Sequence, residues 1–261
     1  MDVAAFLPRP LVPQLKITLG SEHTLTIASS WSDLHAIVRR RMIDVVVADP
    51  CATGSVDVES IESLRHHFPS LPVVLYTSLS PSAFGAIVRM AKTGIEHVVL
   101  SRFDDEPRRF LELLESIPAH ELGDRMLKAL AGPLACLPVV VVRGIDQLFR
   151  SPARFTSAGD LAAATGMNLR TLYRNLEPAG FYSARALVVS ARLLRAYAYL
   201  RDPGRSIKDV AAKTGYTSPW QLSQHMREMT GRTTEQVRQG TSPDELVACL
   251  VEQVQQRRHS E

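Results

Sequence analysis

Between about Leu15 and Ile117 the chain alternates apolar, β-type runs with segments of helical period. The runs "LKITL" (15–19), "IDVVVAD" (43–49), "PVVLYT" (72–77) and "HVVLS" (97–101) read as strands. The segments 31–41, 57–68, 80–93 and 105–117 recur with helical spacing and read as helices. Short strands alternating with helices predict an α/β layer built on a parallel sheet. From about Gly123 the β signal fades, and helical periods punctuated by Gly, Pro and Asp take over. "LPVVVVRGIDQLF" (137–149) has a β-branched run, but its place ahead of an all-helical stretch predicts a helix. This pattern gives an N-terminal α/β domain at 1–117, a linker helix at 118–137, an all-α domain at 138–240 and a helical tail at 241–261.

The helical half contains a repeat. "DLAAATGMNLRTLYRNL" (160–176) and "DVAAKTGYTSPWQLSQHM" (209–226) share an Asp-apolar-Ala-Ala-x-Thr-Gly opening, 49 residues apart. In each, one helix ends at a glycine able to take positive φ, Gly166 or Gly215, and a short turn leads to a new N-cap, Asn168 or Ser218. Ala162 and Ala211, four residues before each glycine, let two helices cross closely. This is the sequence shape of a helix-turn-helix, present twice and joined by a long apolar-faced helix at 183–200.

The second helix of each motif divides into two faces. At 100° per residue, Leu222, Met226 and Met229 share a narrow sector, while Trp220, Ser223, Gln224 and Arg227 lie opposite. In the first motif Leu172 and Leu176 face inward, and Arg170, Tyr173, Arg174 and Glu177 face outward. A helix that reads DNA needs a thin apolar seam for anchoring and long side chains that reach base edges. Arginine donates two bonds to guanine, glutamine pairs with adenine, and an aromatic ring contacts the thymine methyl. Exposed Arg and Gln are commonly just solvated, and Trp220 could fold back on its neighbour. Two matched helices together favour DNA.

Charge sharpens this picture. Net charge is only +3. Residues 1–120 carry 11 Lys and Arg against 14 Asp and Glu, whereas 151–240 carry 13 against 6. A basic half joined to a slightly acidic one points to a polyanionic partner for the second half alone. Other classes recede. The longest apolar run, "LPVVVV", falls far short of a membrane span. "MDVAAFLPRP" lacks the basic-then-apolar order of a secretory signal. Cys51, Cys136 and Cys249 form no framework and fit a reducing cytoplasm, and eight dispersed histidines suggest no metal site.

The residues from about 138 to 240 resemble the DNA-binding domain of AraC/XylS-type transcription regulators. The likeness rests on "LAAATGMNLRTLYRNL", "ARLLRAYAYLRD", "SIKDVAAKTGYTSPWQLSQHMRE" and "TGRTTEQVR". It includes Arg192, Leu193 and Ala196 in the joining helix, then Ser206, Ile207, Val210, Ala211, Gly215 and Tyr216. The resemblance implies two helix-turn-helix units, with base-reading positions on Arg170, Tyr173 and Arg174 in the first and Trp220, Gln221 and Gln224 in the second. The chain departs from the family pattern in the short loop "LEPAGF", in Met226 for an aromatic residue, in Thr234 for a proline, and in Gln224 where arginine is frequent.

The N-terminal half resembles a response-regulator receiver domain, of flavodoxin-like fold. Asp49 ends one strand, Thr77 and Ser78 the next, and Ser101 and Arg102 the last, the places of the family's phosphoacceptor Asp, its Thr/Ser and its Lys. Receiver chemistry also requires an acidic pair after the first strand to hold Mg²⁺. With "LKITLG" as that strand, only Glu22 is nearby, and no helix fits before the next strand. Arg102 replaces the compact charge of lysine. The degenerate domain is therefore expected to serve dimerisation or to receive a signal or partner, with a small-molecule pocket at the strand ends as a further option.

Two apolar stripes stay ambiguous on sequence. One is Leu122, Met126, Leu127 and Leu130; the other, behind a Ser242–Glu245 capping box, is Leu246, Leu250, Val251 and Val254. Each packs on its own domain or pairs with a second chain. The whole chain reads as a cytoplasmic transcription regulator without catalytic activity or cofactor. Its partners are double-stranded DNA, a second copy of itself, and RNA polymerase or a signalling protein; no membrane is involved. The alternative is a phosphorylation-controlled response regulator with Asp49 as phosphoacceptor.

Overall fold

The computed structural model describes residues 1–92, 94–117 and 120–255. The chain divides into two compact units, Met1–Pro118 with Asp202–Gly204, and Ala119–Arg201 with Arg205–Glu261.

The first unit runs β1 (Asp2–Phe6), α1 (Val12–Leu19), β2 (Thr24–Ile27), α2 (Trp31–Arg40), β3 (Val45–Ala48), α3 (Glu59–His67), β4 (Val73–Thr77), α4 (Pro81–Lys92), β5 (Val98–Leu100) and α5 (Pro107–Ser116). Among the described residues the strands form one parallel sheet of order β2-β1-β3-β4-β5, the flavodoxin-like order. Val3 pairs with Leu25 on one side and Val45 on the other. Both faces of the sheet are covered, which is why the inner strand β3 is apolar throughout and β4 fully buried, whereas the edge strand β2 (TLTI) is partly exposed. Leu34 and Val38 of α2, Ile61 and Leu64 of α3 and Met90 of α4 pack on one face. Leu11, with Leu15 and Leu19 of α1 and Phe110 and Leu114 of α5, packs on the other.

Two expectations are corrected here. "LKITL" is not a strand but the second half of α1. Leu11, Leu15 and Leu19 recur every fourth residue and are buried, while Lys16 and Ile17 face solvent. Gly20 closes the helix at φ 58, its N–H donating to the Lys16 carbonyl. The first strand is instead "DVAAF", and a full helix does separate it from β2. Its two alanines carry little β propensity. Strand form comes from its place in the sheet, hydrogen-bonded to β2 and β3.

The second unit runs α6 (His120–Ala129), α7 (Ala131–Ala135), α8 (Val139–Arg150), α9 (Ala158–Ala164), α10 (Leu169–Leu176), α11 (Ala184–Arg201), α12 (Ile207–Lys213), α13 (Pro219–Thr230), α14 (Thr234–Gly240) and α15 (Pro243–Gln255). The β-branched run after Pro138 is helical, as α8. The stretch expected as a linker helix holds α6 and α7, with residues 118 and 119 outside the described residues. α6 packs against α8, α11 and α15, burying Met126, and Leu130 just beyond its end is buried too, so this apolar stripe serves its own unit. The tail helix α15 does the same, packing on α6, α11 and α13 through Leu246, Leu250 and Val254. Its capping box is formed: Ser242 N–H donates to the Glu245 carboxylate, and Glu245 N–H to the Ser242 hydroxyl.

α11 is the axle of this unit. Leu187, Val188, Leu193, Leu194, Tyr197 and Leu200 are all buried, and the Tyr197 hydroxyl donates to the Thr241 carbonyl at 2.7 Å. A helix buried nearly all round holds the elements that flank it in fixed places.

Candidate nucleic-acid interface

In the first motif α9 starts on a capping box between Ser157 and Asp160. The Asp160 carboxylate accepts from the hydroxyl and N–H of Thr156 and the N–H of Ser157. These bonds, the Thr156 hydroxyl first, hold its carboxyl below the usual range. Gly166 turns the chain at φ 68. The Asn168 side chain then caps α10, accepting from Thr171 N–H at 2.9 Å. Leu172 and Leu176 are fully buried, which fixes the opposite face. Arg170 and Arg174 are exposed there and Tyr173 is half-buried. None of the three side chains has a hydrogen bond or ion pair among the described residues.

The second motif repeats the frame. Ser206 caps α12, Gly215 turns at φ 74, and Ser218 caps α13 with Pro219 in its first turn. Leu222, Met226 and Met229 are buried, as expected. Beneath the turn lies a stack the sequence did not disclose. The Arg192 guanidinium lies 4.0 Å from the Tyr216 ring centre, and its Nε donates to the Thr214 carbonyl at 3.0 Å. The His225 ring meets Tyr216 edge-on at 5.5 Å. Burial pushes the Tyr216 hydroxyl up to about 12. No periodic rule links residues 192, 216 and 225; the signal in the sequence is Arg192 set among the apolar Val188, Val189 and Ala196 at helical spacing.

The candidate reading residues of α13 are not equally available. Trp220 is 70% exposed, and Gln224 and Arg227 are exposed beside it. Gln221 is half-buried, and its side-chain oxygen accepts from the N–H and hydroxyl of Thr217. Ser223 accepts from the Thr234 hydroxyl at 3.1 Å. That bond explains Thr234 in place of a proline: the residue follows the N-cap Thr233 of α14 and ties α14 back to α13. The Gln224 amide donates to Glu228 at 2.9 Å.

In the first unit Asp49, Thr77 and Arg102 do stand at the carboxyl ends of β3, β4 and β5. Asp49 is only 3% exposed, and its Oδ1 accepts from the Thr77 hydroxyl at 2.9 Å and from Cys51 N–H at 2.8 Å. Burial raises its pKa, with those two bonds opposing. With β1 correctly placed, the residues following it are Leu7, Pro8 and Arg9, so no acidic pair stands there. Among the described residues no cluster of three His, Cys, Asp or Glu is arranged to hold a metal ion. The residues present do not fit a Mg²⁺ site. Arg102 is exposed at φ 69, a left-handed backbone held by its N–H donating to Asp105. A groove of about 760 Å³ opens on the same unit between α2 and α3, lined by Trp31, Ser32, His35, Ser60, Ser63 and Arg89 among others.

The frame defines a class: a parallel α/β unit followed by a helical unit with two helix-turn-helix motifs. Residues 161–240 match a family model described as a helix-turn-helix domain, and this segment is a domain of AraC type. The chain therefore carries a DNA-binding domain of transcription regulation. No curated protein matches it. Among solved structures, full-length FixJ from B. japonicum is 16% identical, with 82% of this chain and 96% of that chain covered and a TM-score of 0.42. A xylose-binding transcription activator, xylR, is 11% identical, with 92% and 70% covered and a TM-score of 0.36. Among the described residues no helix is long and apolar enough to cross a membrane.

Proposed function

We propose that the chain is a sequence-specific transcription regulator in which α10 and α13 enter successive major grooves on one face of DNA, about 34 Å apart. The observation that carries this is the match between the two helix starts. Each follows a positive-φ glycine and a side-chain N-cap, is anchored by a buried apolar seam, and turns long or aromatic side chains to solvent. Arg170, Tyr173 and Arg174 form the first reading set; Trp220 leads the second, with Gln221, Ser223 and Gln224 beside it bonded to neighbours and Arg227 toward the helix end. The N-terminal unit serves dimerisation or takes in a signal or partner, without phosphorylation of Asp49. The buried, doubly bonded carboxylate and the missing acidic pair support this.

Selection of bound sequences from a random duplex pool tests the DNA assignment. An enriched two-part motif is expected, and a pool without enrichment removes it. Incubation with acetyl phosphate and Mg²⁺, followed by intact mass, tests the input assignment. No added phosphoryl group is expected; a gain of one on Asp49 restores the phosphorylation-controlled alternative.

A further inference from the structure

The two reading helices share a frame but not a chemistry. Counted from the N-caps Asn168 and Ser218, Arg170 corresponds to Trp220, Tyr173 to Ser223, and Arg174 to Gln224. On α10 both arginines are exposed and their side chains make no hydrogen bond or ion pair among the described residues. Each guanidinium therefore keeps the paired donors that match guanine O6 and N7.

On α13 the polar side chains of the first two turns are already engaged, while Arg227, exposed and without a side-chain partner among the described residues, stands two turns beyond Trp220 near the helix end. The Gln221 side-chain oxygen is held by Thr217, the Ser223 hydroxyl by Thr234, and the Gln224 amide nitrogen by Glu228. Bonded along its own helix to Glu228, the Gln224 amide must turn before it presents its oxygen and an N–H together to adenine, so it is less ready to read than the free arginines of α10. The large apolar group facing outward is Trp220. An indole has no fork of donors for guanine, but its apolar surface suits the C5-methyl of thymine, which marks T in the major groove.

Resting on the DNA reading proposed above, we infer that the two half-sites differ in kind. The half under α10 is fixed by guanines paired to Arg170 and Arg174. The half under α13 is read mainly by contact of Trp220 with a thymine methyl, and its sequence constraint is looser.

The test is random-duplex selection with the full chain at fixed salt, repeated with Arg174→Ala, Trp220→Ala and Trp220→Arg. The parent protein is expected to return a motif with guanine-constrained positions in one half and a thymine in the other. Arg174→Ala flattens a guanine preference of about ten-fold or more in the first half only. Trp220→Ala flattens the thymine position only. Trp220→Arg replaces that thymine by guanine, a gain that misfolding cannot produce. Guanine constraint of equal strength in both halves, or a second half unmoved by Trp220→Arg, overturns the asymmetry while the DNA reading stands. Absence of any motif removes the DNA reading itself.

Discussion

Asp49 and Arg192 show how two buried charges in one chain take opposite signs in stability. The Asp49 carboxyl is raised chiefly by burial, so the fold prefers it protonated. Its favourable contribution is full below the unfolded carboxylate range, near about 4, and is lost as pH rises through the higher folded value. At neutral pH the ionised group is a cost, and an amide in its place keeps an oxygen for Thr77 and Cys51. Asp49→Asn is expected to stabilise the protein by about 1 kcal/mol near neutral pH, the gain shrinking toward about pH 4. Thermal melts of both proteins across pH check it; a lower melting temperature at neutral pH would mean that the ionised carboxylate is stabilising. Arg192 has partners for its charge, the Thr214 carbonyl and the Tyr216 ring. Arg192→Ala removes a charge-assisted hydrogen bond and a cation–π contact, and is expected to cost about 2–4 kcal/mol. Urea unfolding measures this, and a loss under about 1 kcal/mol would make the stack incidental.

At the scale of elements, close helix approach depends on two glycines. A Cβ on Gly144 of α8 would stand 2.6 Å from Thr165 Cγ2, and one on Gly123 of α6 would stand 2.8 Å from the Phe149 carbonyl oxygen. Gly144→Val is expected to cost about 1–3 kcal/mol by overpacking the junction of α8 with the first helix-turn-helix. Urea unfolding again reads it, and an unchanged midpoint would show that the junction yields freely. The sequence pointed to small residues at helix crossings through Ala162 and Ala211, which are buried, and passed over these two glycines. A glycine inside a helical pattern reads as a weak helix former, not as a contact. The repeat, both N-caps and both apolar seams were legible because they follow local rules of spacing and capping. β1 was not, since alanines become a strand only through neighbours distant in sequence. The Ser223–Thr234 bond was hidden for the same reason, and with it the reduced availability of Ser223 as a reading residue. The strand-end position of Asp49 could be read from the run before it, but its burial could not.

Across the whole molecule the charge is segregated, and this bears on how the protein holds DNA as distinct from how it reads it. Residues 151–240 carry 13 Lys and Arg against 6 Asp and Glu, so binding to any duplex releases counterions and weakens with salt. Within that field two exposed arginines are expected to behave differently. Arg174 lies in the second turn of α10 and, on the proposed reading, meets a base edge. Arg227 lies two turns beyond Trp220 on the same face of α13, near the helix end, where on the proposed reading it faces backbone rather than bases. Arg174→Ala is expected to cost about 1–3 kcal/mol on the selected target and far less on unrelated duplex. Arg227→Ala is expected to weaken both alike and to lower the slope of log affinity against log salt by about 1. Titrations of each variant on target and unrelated duplex, at several salt concentrations, separate the two roles. If Arg227→Ala instead loses affinity only on the target, α13 reads a base through Arg227 and its half-site is more constrained than Trp220 alone makes it. If Arg174→Ala weakens both duplexes equally, α10 holds the backbone and the specificity must come from Arg170 and Tyr173.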